Sequence, residues 1–256
     1  MLFTTIPAFT FLLTSLATLS AAAPTLDVRQ VNARSWSEPE EKYYHAVGDR
    51  VARFVRTANF PAPPACNIEN APMNRGALPP PSPGLVLSHV VVGRGTQNFT
   101  CDTTNASAIP VQVGAVATLF NSSCIAGLYP ELLSLMPPVA IRHAKPADAD
   151  GLAPSNLWLS GHHFFTAGGV PFFSLNSRNG DYGQVGCKKD GATPAPDPKN
   201  VPWLKMSTAH LDGIEATYSE VYRLNTVGGQ PPETCAGQKD HIEVEYAAEY
   251  WFWKSK

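Results

Sequence analysis

Side chains alternate in character along HIEVEYAAEYWFW, residues 241 to 253. Ile242, Val244, Tyr246, Ala248, Tyr250 and Phe252 fall on one side; His241, Glu243, Glu245, Ala247, Glu249 and Trp251 fall on the other. That period belongs to a strand of an antiparallel sheet with one solvent-facing side. Further apolar or alternating runs, bounded by Gly, Asn, Asp and Pro, predict strands over 85 to 92, 97 to 102, 111 to 120, 162 to 165, 171 to 175, 214 to 224 and 242 to 252.

Earlier in the chain the period changes. From Ser37, apolar residues recur at three and four (Tyr44, Val47, Val51, Phe54, Val55), which predicts an amphipathic helix ending before Asn59. Ser37 and Glu40 have capping-box spacing, and Pro39 falls in the first turn. A short helix is expected within YPELLSL, with Pro130 near its start and Pro137-Pro138 ending it. No long helix follows each strand, which argues against a parallel βαβ array. The fold class is therefore mainly β: an antiparallel β-sandwich or partly closed β-barrel with an N-terminal helix.

Residues 1 to 23 carry no charged side chain, hold an apolar run from Ile6 to Leu19, and close on Ser20-Ala21-Ala22-Ala23. That is the layout of a secretory signal, and its removal leaves roughly 230 residues, enough for one good core. The expected organisation is a signal peptide (1–23), an N-terminal helical segment (24–59), a proline-rich connector (60–83) and a β-domain (84–256). The expected location is extracellular or at a cell wall, with no stable membrane insertion. A formal charge of −2 points to neither nucleic acid nor an anionic membrane surface as partner.

Cys66, Cys101, Cys124, Cys187 and Cys235 include no C-x-x-C pair. In an oxidising compartment they imply two disulfides and one remaining thiol, with the pairing open and Cys66 expected to staple the connector to the body. Sequons begin at Asn98, Asn105 and Asn121. Asn105, in DTTNAS, looks most like a loop; Asn98 abuts a strand.

The stretch LSHVVVGRGTQNFTC raises a sharper question, because Gly93-Arg94-Gly95 follows an apolar run as in a dinucleotide-binding loop. Such a loop needs a third small residue and then a helix, yet here Asn98 stands in that place and FTCD follows. No nucleotide and no other cofactor is expected. The glycines are better read as a turn or bulge between two strands, with Arg94 exposed.

Several segments together carry a family resemblance. GRGTQNFTC, VGAVATLFNSSC, LSGHHFF, VPWLKM, YRLNTVGGQPPETC and VEYAAEYWFW, spanning about 84 to 253, resemble the domain of unknown function 3455 family. The resemblance implies a secreted protein of a filamentous fungus. Members of the family often carry the label malate dehydrogenase, but this chain has no hydride-cofactor loop and no dehydrogenase-like Arg…Asp…His constellation. The resemblance supplies no catalytic residues.

Candidate chemistry comes from three groups. His162 and His163 are adjacent on a strand and face opposite ways, so one of them at a time would join His89, Asp181 or His241 in an acid–base or metal site. The plainer reading is a pair of structural histidines, and no metal site is expected. Glu243 and Glu245 share a strand face, as a carboxylate pair for glycoside hydrolysis would, although a solvated sheet face explains them equally. Arg94, Gln97, Trp203, Tyr218, Tyr222 and Trp251 offer rings, an amide and a charge for a carbohydrate surface, with Trp251 on the charged side of the last strand. The alternative for most of these rings is core packing. No G-x-S-x-G or H-E-x-x-H motif occurs, and Ser160 beside His162 does not make a nucleophile. The functional expectation is non-catalytic binding or a structural role at the cell surface, with wall polysaccharide as ligand; the alternative is an extracellular carbohydrate-active hydrolase.

Overall fold

Eight antiparallel strands follow one another around a closed barrel, each paired with its neighbours in sequence, and β8 pairs back with β1. The strands are β1 (Leu85–Thr100), β2 (Val111–Asn121), β3 (Leu159–Phe165), β4 (Pro171–Ser177), β5 (Gly180–Thr193), β6 (Trp203–Thr208), β7 (Glu220–Gly228) and β8 (His241–Ser255). Among the described residues four helices accompany them: α1 (Glu38–Thr57) before the barrel, then α2 (Ser123–Leu128), α3 (Pro130–Leu133) and α4 (Met136–Ala140) between β2 and β3. The computed structural model describes residues 37–57, 66–147 and 151–256. The expected signal segment and the start of the connector lie outside the described residues. Among the described residues no helix is long and apolar enough to cross a membrane.

The β8 alternation maps onto the barrel wall. Tyr246, Ala248, Tyr250 and Phe252 pack inside with Val91, Leu119, Phe173, Leu175, Val185, Met206 and Val221. The opposite side of β8 is solvent-facing only at its start, where Glu243 and Glu245 are exposed. Further along, Ala247 and Trp251 join Val90, Val92, Phe120, Leu133, Met136 and Val139 in a second core between the outer wall and the helices. β1 is therefore buried on both faces over most of its length. Each large apolar side chain fully buried in this way contributes about 1.5–3 kcal/mol.

Two of the expected breaks do not occur. Gly93-Arg94-Gly95 makes no turn: β1 runs through it as one strand, with shifts in register only between Leu87 and His89 and between Asn98 and Phe99. The glycines serve packing instead. A Cβ on Gly93 would stand 2.8 Å from the Tyr250 ring, and one on Gly95 would collide with the Val116 carbonyl. Such positions let a strand coil tightly against its neighbour. Likewise Pro137-Pro138 does not terminate the short helix; both prolines fall in the first turn of α4, where a missing N–H costs nothing. The α3 helix begins on Pro130 as expected.

At the start of α1, the Ser37 N–H and Oγ–H both donate to Glu40 Oε2, at 2.9 and 2.6 Å, closing the expected box from the Glu side. Of the predicted stripe, Val47 is half-buried but Tyr44 and Val51 are exposed, and the ring that is buried is that of the neighbouring Tyr43. Arg50 ties the helix to α3, pairing with Glu131 and standing over the Tyr129 ring at 4.4 Å.

The disulfides join Cys66 to Cys124 and Cys101 to Cys235. The first ties the connector to α2, and Cys187 is the leftover thiol, buried in the barrel. Beyond Cys66 the connector is strapped across the outside of β6 and β7. Lys205 Nζ donates to Pro80 O at 2.9 Å, the Tyr222 hydroxyl to Pro79 O at 2.9 Å, and Ser82 to Glu220.

Candidate functional site

Because strand residues alternate, the pairing of β1 with β2 and β8, and of β7 with β6 and β8, fixes which polar side chains enter the barrel. Gln97 stands opposite Ala115 and Val244, His163 opposite Ala117 and Phe173, and Arg223 opposite Leu204 and Tyr250. These residues meet at the end of the barrel that carries the β3–β4 hairpin. There they line a cavity of about 270 Å³ together with Gln112, Ala115, Phe165, Pro171, Phe173, Lys189, Ala192, Pro202, Leu204, Met206 and Tyr250. An eight-stranded barrel is just wide enough to fill with side chains or to hold one small ligand.

The cup has a polar floor set in apolar walls. Gln112 Nε2 donates to Gln97 Oε1 at 2.7 Å, and Arg223 Nη2 donates to Pro202 O at 2.9 Å. Arg223 Nε and Gln97 Nε2 are buried and have no partner. The Tyr246 and Tyr250 hydroxyls bond each other at 2.9 Å, and burial raises both pKa values, so both stay protonated. His163 stacks on Phe173 with 4.2 Å between centroids and sits 2.9 Å from Phe172 O through Nδ1. Burial first, and the Arg223 charge second, depress its pKa to about 4. At neutral pH the ring is therefore uncharged, donates from Nδ1 and keeps Nε2 as an acceptor.

The residues expected from sequence divide among different places. Gln97 and His163 reach the cup. His162 faces the outside of the wall, opposite Thr118 and Ser174. Arg94 is not exposed, as the sequence reading had it, but 1% accessible on the outer face of β1. Its guanidinium donates to Ala140 O at 3.2 Å and Gly95 O at 3.2 Å, to Ile141 O and His143 O at 3.4 Å, and to Glu245 Oε2 at 2.6 Å. It thus clamps the C-terminal end of α4, where a cation is favoured. That contact also occupies Glu245, while Glu243 is exposed beside it on the convex wall.

None of the four rings forms an exposed platform. Trp251 is 1% accessible, the reverse of the expected exposure, because the charged side of β8 is roofed by helices at that point. Its Nε1–H donates to Glu249 Oε2 at 2.9 Å, and Asn225 Nδ2 donates to the other oxygen. Burial pushes the Glu249 carboxyl up. Trp203 and Tyr222 lie under the connector, the first against Gly76. Tyr218 closes the far end of the barrel, its hydroxyl bonded to Tyr182 O and its ring 5.0 Å from that of Phe252.

At that far end His89 is buried, 2.6 Å from Ser160 Oγ through Nε2 and stacked on Tyr182 at 4.4 Å. Burial lowers its pKa to about 4. Asp181 shares this rim, whereas His241 lies at the opposite end beside Thr100. Among the described residues no three His, Cys, Asp or Glu side chains gather as a metal-binding group. A separate cleft of about 380 Å³ opens between Asn121, Asn156, Trp158, Asn179 and Tyr182, where Trp158 is 69% exposed. Of the sequons, Asn105 is exposed in a turn, and Asn98 and Asn121 are half-buried at strand positions.

The sequence reading missed Arg223, Tyr250, Lys189 and Gln112 in the cup and Trp158 in the cleft. Arg223 did carry a signal: it lies in phase with Val221, so a cation occupies an apolar position of its strand.

Comparison with known proteins is brief. No curated protein and no solved structure matches the chain. A family model described as "Protein of unknown function (DUF3455)" matches residues 81–254, which takes in the barrel from the start of β1 to the penultimate residue of β8. The chain belongs to that family.

Proposed function

We propose that the protein is an exported, non-catalytic binding protein that takes a small organic molecule into the cup at the β3–β4 end of the barrel. The observation that carries the reading is a cavity of about 270 Å³ onto which two buried donors, Arg223 Nε and Gln97 Nε2, look without partners. Buried polar groups are otherwise nearly always satisfied, and an exception beside a cavity marks a place for an outside acceptor. Absence of catalysis is supported by the lining, which offers one neutral imidazole but no carboxylate and no thiol. The two carboxylates considered for hydrolysis stand on the convex outer wall, one of them engaged by Arg94. The paired cysteines and the exposed Asn105 sequon fit extracellular life, at a fungal surface or in the medium.

Native mass spectrometry of the protein secreted by its own host tests the reading. A bound small molecule should accompany the wild type and be missing from Gln112→Trp, which places an indole at the exposed rim. Retention of the same adduct by the variant, or no binder from a broad metabolite library, would remove the cup from consideration.

The Trp158 cleft favours a second reading, attachment to wall polysaccharide. An exposed indole among amide side chains matches the flat apolar faces and hydroxyl fringe of a sugar. Pull-down on insoluble β-glucan, chitin and cellulose in high salt should then retain the wild type and lose Trp158→Ala; equal behaviour of the two ends that reading.

A further inference from the structure

We infer that the ligand of the cup is a small organic monoanion: a carboxylate carried on an aromatic or branched apolar body. The inference rests on the cup being a binding site and adds the chemistry of what enters it.

Arg223 is more than nine-tenths buried, and no Asp or Glu is among the residues lining the cavity. Its guanidinium is met only by neutral groups, the Pro202 carbonyl and the Tyr250 hydroxyl, and its Nε–H has no acceptor. A buried guanidinium without a counter-charge is costly, and an anion arriving at it removes that cost. Lys189 stands at the rim of the same cavity and adds a second positive charge on the approach. A second open donor of the floor is Gln97 Nε2, because the oxygen of that amide is already taken by Gln112, and the neutral His163 ring sets a lone acceptor, Nε2, against these donors. Two free buried donors and two cations favour an acceptor-only group. They disfavour a neutral sugar, whose hydroxyls need acceptors as well as donors, and they repel a cation.

The guanidinium edge suits a planar carboxylate, which it can meet with parallel N–H bonds. A phosphate is less well served, since strands, with no helix N-terminus among them, supply the floor. Above the floor the walls are Phe165, Phe173, Leu204, Met206 and the face of the neutral His163 ring. These surfaces recover energy from an apolar body and give nothing to a polar one.

Isothermal titration of the full secreted chain near pH 7 decides the matter with matched pairs: benzoate, phenylacetate and 4-methylpentanoate against their primary amides. At least one acid should bind at least tenfold tighter than its amide. Arg223→Met should erase that preference, and Arg223→Lys should restore part of it. Lys189→Gln, a change at the exposed rim, should weaken acid binding severalfold and flatten its salt dependence; this arm stands even if the Arg223 variants do not fold. Equal binding of acids and amides, or acid binding indifferent to Arg223 and Lys189, would overturn the ligand class and leave the cup as a site for neutral molecules. No binding by any acid would also overturn it, and the mass-spectrometric comparison with Gln112→Trp then judges the cup itself.

Discussion

Two buried arginines are expected to respond oppositely to the same substitution. Arg94 and Arg223 are 1% and 9% accessible, and each lies on a barrel strand next to β8. Arg94 serves four carbonyls and Glu245, so Arg94→Met strands a set of buried acceptors at the end of α4. Glu245 is 60% exposed, so solvent screens the ion pair itself and the carbonyls dominate. Breaking such an arrangement costs about 3–5 kcal/mol. For a domain of this size each kcal/mol moves Tm by about 2–4 °C, so Arg94→Met should melt roughly 10 °C lower.

Arg223 has one carbonyl bond, worth about 1.5–3 kcal/mol for a charged donor, and the Tyr250 hydroxyl beside its guanidinium. Against it stands a desolvation cost of several kcal/mol with no carboxylate in the cavity to offset it. Arg223→Met keeps most of the stem, removes the charge, and should stabilise the ligand-free protein by about 1–2 kcal/mol, a Tm rise of roughly 3–6 °C. Differential scanning calorimetry of the two variants beside the wild type, all freed of ligand, makes the measurement. If Arg223→Met falls as far as Arg94→Met, then Arg223 is an ordinary structural cation, and the argument that its charge awaits a ligand fails.

Three further outcomes follow from the same structure. His89 and His163 have folded pKa values near 4 against an ordinary value of 6.5, so the unfolded chain binds more protons in between. Their contribution, at most about 3 kcal/mol each, is fully present above pH 6.5 and lost as pH falls towards 4; urea midpoints should drop across that window and drop less in His163→Phe, and flat midpoints would contradict the burial of both rings. Loss of the Cys66–Cys124 bridge, which spans 58 residues, should cost up to about 4 kcal/mol, read as a lower urea midpoint in Cys66→Ser/Cys124→Ser. Cys187, buried and with its thiol pKa raised by burial, should react with a thiol reagent only on the timescale of unfolding; rapid labelling of the native protein would show an opening of the barrel wall.

Alternation told which residues share a face, and that part of the sequence was legible: the inward residues of β8 are those its period selects. It could not tell what covers the opposite face. Trp251 and Glu249 keep company with exposed Glu243 and Glu245 along the chain, yet α3, α4 and Asn225 roof the last part of the strand and leave the first part bare. β1 was misread for the related reason that a strand covered on both faces loses its period, and its glycines imitate a turn. β5 went unseen because GDYGQVGCKKDGAT offers only Val185 and Cys187 as deeply buried apolar residues. The cup draws on all eight strands, and no local window reveals that Gln97, His163, Lys189, Arg223 and Tyr250 end up around one hollow.

The seam of the barrel has a further consequence. β1 and β8 pair from Leu85–Ser255 to Thr100–His241, so the first strand acquires one of its two neighbours only when the last has been made. Until then the sheet is an open ribbon with two bare edges, liable to pair with other chains. β8 also brings Tyr250 to the cup, its partner Tyr246 and the carboxylate that steadies Arg94. Ring closure, completion of the floor of the cup and anchoring of the helical roof thus all depend on β8, and a chain stopped before Glu245 would lack all three at once.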